Sequence, residues 1–592
     1  MNSQTLQQFF AGDKLLTIPH YQRDYAWGIR NIEDLFNDIQ ESIETNTTHY
    51  IGTFILSKKD DEKEFKIVDG QQRLTTLYIL LTLLIKGLDD EARRLAYTYV
   101  FLLNMNNSKK LVLAGSNGKF FNDLLAGQQP DAQVKSQKRL AGAYKIINKQ
   151  IAALTQAGRN RWIETIQSFN VIEFVEKDEG KAIRMFQSVN DRGVPLSNMD
   201  KAKSLLIYYS NRFLDGALDA DINDKFGECY RAYDVIKEKA KEEEYKIDLI
   251  DSKTFTEDDI FRYHYLTYKH NISLLHVGFD FRATMDSVLT RYLKPALKQL
   301  KDDREYLSKF IIDYAVDLSE FFRAFADIIE FVRKNYRLYH FLVIQKASAN
   351  IYPLMIRLHQ RQLLFSGGLH FLKKLFVVDM RVYKIRGTDP LKDIYYLAHD
   401  SFDLPAYEIS NRLLNFAKKF MSDSSLLSAL QNSYYYQRAG IPSILTELEI
   451  TEIKDSLYKN DKDMKEKIFS AMRDMVRRHQ SVEHILPQTP MFDVNTYGFD
   501  NEDDYNECID KIGNLTLLTE SENKSFSNIS PDIKLCDGKY YKASFYQSTS
   551  KLAYDLCGYG RIFTKDELNN RTFRIAQFCV DKWPLWEGIS EK

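Results

Sequence analysis

Residues 64–87 read EFKIVDGQQRLTTLYILLTLLIKG. Residues 64–70 have the composition of a strand, and HYIGTFILS at residues 49–57 predicts a second strand across a charged turn. From Leu74 onward the chain is apolar on nearly all sides until Gly87, which predicts a buried helix with a glycine C-cap. This part of the chain therefore mixes strands with helices.

The junction between strand and helix at Gly70 also favours a bound ligand. Glycine lets the backbone approach a ligand closely, and a helix N-terminus offers free N–H groups and the positive end of a dipole. Arg73, in the first helical turn, can add bidentate contacts to a phosphate. Asp69 could hold an attacking water, a ribose hydroxyl or a metal ion. An ordinary strand-to-helix turn explains the same residues, so the junction alone does not decide the question.

Another junction lies further along the chain. A helix predicted at residues 180–189 runs into a turn at residues 190–193, which read NDRG. Ser197 and Asp200 then have the spacing of a capping box. We expect a new helix to begin there.

The length of the chain, 592 residues, exceeds what one hydrophobic core usually supports, so we expect two or three domains. Residues 1–210 mix strand and helix patterns, and residues 211–390 are predominantly helical and rich in Tyr and Phe. Residues 391–592 begin as helices and change character at Ser481. The fold class that we predict is α+β, multidomain and mostly helical.

Composition excludes several classes of protein. The formal net charge is −1, so the chain has no global attraction for a polyanion, and a nucleic-acid surface must be local. The cysteines are widely spaced and form no CxxC pair, which argues against a structural zinc site and a disulfide framework and fits a reducing cytosol. The N-terminus lacks the pattern of a signal peptide, and the most apolar stretch, residues 77–85, is too short to cross a bilayer. We expect a soluble cytoplasmic protein with no membrane partner.

A local basic region lies in the middle of the chain. Residues 333–386 contain eleven Lys and Arg but only one acid, Asp379. Counterion release and interleaved aromatic rings would suit this region to nucleic acid. The alternative is that these side chains extend into solvent or pair with the acidic stretch at residues 215–261. The sequence leaves both interpretations open.

The most informative pattern lies near the C-terminus. VEHILPQ at residues 482–488 is followed by the strand-like IGNLTLL at residues 512–518, and Asn523 lies in SENKSFSN, a polar stretch that could open a helix. Strand, strand and helix in this order can bring an acid–histidine pair and a distant amide around one ion. Hydrolysis of a phosphodiester needs a base for water and a cation for the departing oxyanion. A neutral histidine suits the first task, and carboxylate and amide oxygens suit Mg²⁺.

This segment resembles the HNH (ββα-metal) nucleases over residues 435–590, in the histidine–asparagine–asparagine variant of GmrD-type domains. The resemblance implies that Glu483 and Asn523 bind Mg²⁺ or Mn²⁺, that His484 is the general base, and that Asn514 orients the loop carrying that histidine. The last metal ligand of the best-known HNH pattern is His, and here it is Asn523. Further residues also resemble the family: Asn528, Lys534, Arg571, Trp583 and a capping box at residues 564–567.

Three N-terminal patterns together resemble the GmrS-type domain, which is related to the ParB/sulfiredoxin-like nucleotide-binding fold. They are IPHYQRDYAW at residues 18–27, DGQQR at residues 69–73 and FQSVNDRG at residues 186–193. The resemblance implies binding and hydrolysis of a nucleoside triphosphate, with Asp69 and Arg73 in catalysis. The implied nucleotide site comprises Tyr21, Gln22, Arg23, Asp69, Gly70, Gln71, Gln72, Arg73, Asn190, Arg192 and Lys203. The chain has no GxxxxGK[ST] motif, so it is not a P-loop protein.

With a GmrS-like segment followed by a GmrD-like segment on one polypeptide, the chain resembles single-chain GmrSD-type type IV restriction enzymes. This resemblance implies a GmrS-like domain at residues 1–210, a helical connecting region at 211–390 and a GmrD-like HNH domain at 391–592. The implied activity is a metal-dependent DNA endonuclease, controlled by a nucleoside triphosphate, that restricts phage DNA with modified bases. A homodimer would provide the two cuts that two strands need. Alternatives are a defence or toxin nuclease acting on RNA or unmodified DNA, and a ParB-like nucleotide-gated DNA-binding regulator without cleavage.

Overall fold

The structure is a computed structural model, and it divides the chain into two compact units. The first comprises Met1–Asp234, His270–Phe279 and Ala283–Ser319, and the second comprises Val235–Lys269, Asp280–Arg282 and Glu320–Lys592. The described residues are 2–19, 25–58, 64–114, 116–177, 197–366, 368–432, 436–457, 463–526, 529–560 and 562–588. The predicted domain limits near residues 210 and 390 stay predictions.

A six-stranded mixed sheet lies in the first unit. Its strands are β1 (Asn2–Thr5), β2 (Leu15–Ile18), β3 (Tyr50–Ser57), β4 (Glu64–Asp69), β5 (Leu111–Leu113) and β6 (Asn170–Glu176). Their order across the sheet is β1-β6-β3-β4-β2-β5. β3 runs antiparallel to β4 and parallel to β6, while β2 is parallel to both β4 and β5. Both strands predicted around the charged turn are confirmed.

Helices lie between the strands of the sheet and after the last of them. Up to residue 239 they are α1 (Leu6–Phe10), α2 (Ile29–Thr45), α3 (Gln71–Lys86), α4 (Glu91–Tyr97), α5 (Ser116–Ala126), α6 (Lys135–Ala152), α7 (Gln156–Ser168), α8 (Asn198–Leu214) and α9 (Asp219–Lys239). The predicted buried helix is α3, in which every residue from Leu74 to Ile85 is buried. The side chain of Ser197 caps α8 by accepting the N–H of Asp200, as predicted. The mixed α/β character predicted for this region is confirmed.

The middle of the chain is helical, as predicted. Beyond α9 its helices are α10 (Asp248–Asp251), α11 (Glu257–Tyr265), α12 (Met285–Val288), α13 (Lys294–Leu300), α14 (Arg304–Phe331), α15 (Tyr336–Tyr339), α16 (Tyr352–Gln360) and α17 (Phe371–Val378). The region from residue 391 also begins as helices, as predicted, with α18 (Leu391–Asp400), α19 (Ala406–Phe420), α20 (Asp423–Asn432) and α21 (Ile441–Glu452). Short π-helical segments, such as Asp379–Ile385, extend some of them. Among the described residues, no helix is long and apolar enough to span a membrane.

The C-terminal part contains an antiparallel pair of strands followed by a helix. Its elements are α22 (Met464–Arg477), β7 (Gln480–His484), α23 (Glu502–Cys508), β8 (Leu515–Thr519), α24 (Glu520–Phe526), α25 (Pro531–Cys536), α26 (Gln547–Gly558) and α27 (Lys565–Lys582). β7 and β8 are antiparallel, and α24 begins at the residue after β8. The predicted order of strand, strand and helix is therefore confirmed.

Gly513 allows the closing helix α27 to pack directly against the start of β8. A Cβ atom at this position would lie 2.1 Å from the carbonyl oxygen of Leu568 and 2.2 Å from Oγ1 of Thr572. Any side chain here would collide with α27, so the packing requires glycine. The predicted cap of α27 is confirmed, since the Thr564 hydroxyl accepts the N–H of Glu567.

One expectation about the cysteines is wrong. Cys536, at the end of α25, and Cys557, in α26, form a disulfide. They are 21 residues apart, and the turn between the two helices brings them together. Widely spaced cysteines do not reveal such a pair, because the contact depends on the packing of α25 against α26. Cys229, Cys508 and Cys579 are buried and belong to no disulfide among the described residues.

Candidate functional site

His484 lies at the end of β7, in contact with a residue that sequence reasoning did not identify. Its Nε2 atom is 2.9 Å from Oδ1 of Asp510, and its ring centroid is 4.6 Å from that of Tyr436. Burial lowers the pKa of His484, and the hydrogen bond and charge of Asp510 oppose that effect. The histidine therefore belongs to a partly buried acid–imidazole pair.

The carboxylate of Glu483 is occupied by internal partners. Lys534 Nζ lies 2.5 Å from Oε1 of Glu483, and the hydroxyl of Tyr541 donates to the same oxygen at 3.2 Å. Lys534 also donates to the backbone carbonyl of His484 at 3.1 Å. Burial, together with the charge of Glu483, raises the pKa of Tyr541 well above its usual value, so the phenol stays protonated as the donor.

Asn514 is completely buried and ties down the chain just after the histidine. Its Oδ1 atom accepts the N–H of Leu486 at 2.9 Å, and its Nδ2 atom donates to the carbonyl of Leu486 at 2.9 Å and to that of Ile509 at 2.7 Å. The backbone carbonyl of Asn514 also accepts the N–H of Ile485. The side chain of Asn514 thus connects the segment after β7 with the segment after α23.

Asn523, in α24, is joined to β7 by a hydrogen bond from its Nδ2 atom to Oγ of Ser481 at 2.6 Å. Alternate residues of a strand share a face, so Ser481 and Glu483 lie on one face of β7 and His484 on the other. Glu483 and His484 thus lie in β7, Asn514 immediately before β8, and Asn523 in α24. The imidazole, however, contacts Asp510, whereas the acid contacts Lys534.

The donors on the Glu483 face fit a hard divalent cation in their chemistry. Carboxylate and amide oxygens are the ligands that Mg²⁺ prefers, and Asn523 uses its nitrogen, not its oxygen, to bind Ser481. An ion here would share the Glu483 carboxylate with the ammonium of Lys534. Across the described parts of the chain, no cluster of three or more His, Cys, Asp or Glu side chains is arranged as a metal site.

Arg571 and Trp583, which also resemble the family, make different contacts. Arg571 Nη1 donates to the carbonyls of Gly513 and Leu515, both at 2.7 Å, and burial lowers the pKa of its guanidinium to about 10. Trp583 is buried at the end of α27, and its carbonyl accepts Nε of Arg381 at 2.6 Å. Asn528 lies outside the described residues.

The N-terminal candidate site is at the β4–α3 junction. Gly70 has φ of +88°, and a Cβ atom on it would lie 2.3 Å from the ring of Phe54. Asp69 ends β4, and burial raises the pKa of its carboxyl, while the N–H of Gly70 and the charge of Arg73 act in the opposite direction. Arg73 lies against the backbone of Gly52, where a Cβ atom would be 2.1 Å from Nη1.

The first turn of α3 is joined to the preceding aromatic segment. Oε1 of Gln72 accepts the N–H of Ala26 at 2.7 Å, and the Tyr25 hydroxyl is 2.7 Å from that of Thr76. Within the residues that the structure describes, the buried Oε1 of Gln71 has no hydrogen-bond partner. The first turn of α3 thus contains a buried acceptor that no described residue satisfies.

The remaining members of the predicted nucleotide site are described only in part. Lys203 is buried in α8, within the same unit as Asp69. Five predicted residues lie outside the described residues: Tyr21, Gln22, Arg23, Asn190 and Arg192. The predicted helix at 180–189 lies there too.

The basic middle region is largely engaged within the protein. Arg333 pairs with Glu242 at 2.7 Å, and Lys346 pairs with Asp248 at 2.6 Å. Arg357 and Arg381 are buried, and Arg361 donates to two backbone carbonyls. The structure thus favours internal pairing, partly with the acidic stretch, over a continuous nucleic-acid surface.

Asp510 and Tyr436 are the contacts that sequence reasoning missed. Asp510 precedes the IGN triplet by two positions, and Tyr436 lies far upstream in the chain. The N–H of Tyr436 donates to the backbone carbonyl of Asp510 at 2.8 Å. Neither residue belongs to a motif, so only the packing reveals that both contact His484.

Two family models match this chain. The model of the GmrSD restriction endonuclease N-terminal domain matches residues 6–207, which include the β4–α3 junction. The model of the GmrSD restriction endonuclease C-terminal domain matches residues 420–577, which include β7, β8 and α24. No curated protein matches the chain. The two matches cover both candidate sites and together most of the sequence, so the chain belongs to the GmrSD restriction endonuclease family.

Proposed function

We propose that the protein is an HNH-type endonuclease that cuts phage DNA carrying modified bases, under the control of a nucleoside triphosphate bound by the first domain. The observation that carries the proposal is the β7–β8–α24 element, in which Glu483 and His484 are consecutive residues of β7 and the buried Asn514 holds the chain after them. A scaffold alone does not require these residue types together.

His484 acts as the general base in this proposal. A base of this kind contributes on the order of 10²–10⁴-fold to the rate. Lys534 holds the carbonyl of His484, and Asn514 holds Leu486, so the backbone is fixed at two points at and just after the histidine. Glu483 and Asn523 would hold Mg²⁺ or Mn²⁺, which would stabilise negative charge on the departing oxygen.

The first domain would bind the nucleotide at the N-terminus of α3. The helix end offers N–H groups, Gly70 permits close approach, and the buried Oε1 of Gln71 can accept a hydrogen bond from the ligand. Asp69 and Arg73 would act in hydrolysis. The aromatic segment that contains Tyr21, Gln22 and Arg23 continues into Ala26, which is bound to the first turn of this helix.

The test is cleavage of modified phage DNA, unmodified DNA and RNA by the full chain with Mg²⁺ or Mn²⁺ and a nucleoside triphosphate. We expect H484A to abolish cleavage, whereas H479A, at an exposed histidine just before β7, should cleave like the wild type. Cleavage that survives H484A would remove His484 from the chemistry. Nucleotide-dependent retention of DNA without scission would instead support the DNA-binding regulator.

A further inference from the structure

The contact between His484 and Asp510 has a chemical consequence for the imidazole. Nε2 is 2.9 Å from Oδ1 of Asp510. An ionised carboxylate can only accept a hydrogen bond, so Nε2 must donate. In a neutral imidazole the other nitrogen, Nδ1, then carries the lone pair. Among the described residues, no hydrogen bond to Nδ1 is found.

We propose that Asp510 is a positioning residue that holds the proton of His484 on Nε2 and thereby makes Nδ1 the nitrogen that takes a proton from the attacking water. This inference rests on the proposed function, because it names the atom through which His484 would act. It also assigns a role to a residue outside every motif of the chain.

The surroundings of Asp510 support a fixed contact. The side chain of His484 is 10% exposed and that of Asp510 is 37% exposed, so the histidine is the more enclosed partner. The ring of Tyr436 packs on the imidazole, and the N–H of Tyr436 binds the backbone carbonyl of Asp510. Tyr436 thus contacts both the backbone of Asp510 and the imidazole ring of His484.

The alternative acid, Glu483, is not placed to do this. It neighbours His484 in the chain but lies on the opposite face of β7, where Lys534 and Tyr541 bind its Oε1 atom. Of these two acids, Asp510 is the one whose carboxylate is hydrogen-bonded to the ring. The orienting group is therefore Asp510.

The direct test is the position of the ring proton. The full chain is labelled with [¹⁵N]histidine, and solid-state NMR spectra of the metal-free protein are recorded under conditions in which the ring is neutral. The chain has 11 histidines, so the His484 signals are isolated as the difference from H484A. We expect the proton on Nε2 in the wild type and a shift of the proton population to Nδ1 in D510A and D510N. A wild-type ring protonated on Nδ1 would overturn the inference.

The second readout is cleavage with saturating metal and DNA. We expect D510N to lower kcat by on the order of 10²-fold, the lower end of what a general base contributes, with KM nearly unchanged. D510E, which keeps a carboxylate, should recover much of that loss. The matched control is E507Q, an exposed acid three residues away, which should cleave like the wild type.

The two proposals fail in different ways. If H484A is inactive and D510N cleaves at the wild-type rate, the role of Asp510 is overturned and the proposed function stands. If H484A itself remains active, His484 is not the base, and both proposals are overturned. Because Asp510 is partly exposed, the conservative D510E variant provides a folded comparison even if D510A is unstable.

Discussion

The Nζ atom of Lys534 lies 2.5 Å from Oε1 of Glu483, and both side chains are buried. The same ammonium donates to the carbonyl of His484. One lysine therefore neutralises the acid and holds the backbone of the neighbouring histidine. The C-terminal site depends on this ion pair as well as on the residues of its motif.

Replacing Lys534 should be strongly destabilising. The K534M substitution would leave Glu483 buried without its counter-charge, which typically costs about 3–5 kcal/mol. Urea unfolding should show this loss, and adding E483Q should restore part of it. The exposed pair of Lys524 and Glu520 provides the control, because K524A should have little effect. A K534M protein as stable as the wild type would contradict the prediction.

Removing the side chain of Asn514 should loosen the loop after His484. N514A deletes three hydrogen bonds and leaves buried backbone groups without partners. Each unpaired buried group typically lowers the free energy of unfolding by about 1–3 kcal/mol. We expect faster hydrogen exchange at the amide of Leu486 and a large fall in cleavage. N506A, at an exposed asparagine of α23, is the control. Unchanged protection of Leu486 in N514A would argue against this role.

Gly70 should tolerate alanine less well than Gly12 does. Both have positive φ, +88° and +78°, so each substitution costs about 1–2 kcal/mol of backbone strain. Only at Gly70 would the new Cβ meet the ring of Phe54, which adds about 1–3 kcal/mol. Thermal unfolding of G70A and G12A isolates this difference. We also expect G70A to weaken binding of a fluorescent nucleoside triphosphate. Equal stability and equal nucleotide binding of G70A and G12A would exclude a close approach of the nucleotide to Gly70.

Glu447 should make stability depend on pH in the acid range. Burial alone would raise its pKa, but the side chains of His340 at 3.0 Å and Lys582 at 2.5 Å lower it to about 2, from a usual value of 4.5. A depressed folded-state pKa means that the stabilisation is complete above pH 4.5 and is lost as the pH falls towards about 2.

The measurement compares the free energy of unfolding of the wild type with that of E447Q. The wild type should be more stable at pH 7, and the difference should shrink between pH 4.5 and about 2, where the carboxyl becomes neutral. A difference that is the same across this range would show that the charge of Glu447 does not contribute.

Much of the fold could be predicted from local patterns. β3, β4, α3 and the strand, strand, helix order of β7, β8 and α24 follow from side-chain periodicity, glycine positions and capping residues, all of which act within a few positions. The six-stranded order of the sheet could not be predicted in this way. It joins strands as distant as β1 and β6, whose pairing depends on long-range packing.

The disulfide illustrates the same limit. Each of Cys536 and Cys557 looks like an isolated cysteine in the sequence, and only the packing of α25 against α26 makes them neighbours. The basic region at residues 333–386 is a further case. Its composition suits nucleic acid, but whether Arg333 or Lys346 meets a phosphate or a carboxylate depends on which acidic segment packs beside it.

The sequence by itself determined the ββα element, the glycine junction before α3 and the residue types present at both candidate sites, because these depend on short-range spacing. Only the tertiary structure decided which acid meets the imidazole. Successive residues of a strand point to opposite faces, so Glu483 is turned towards Lys534, and His484 is met by Asp510, 26 residues further along the chain.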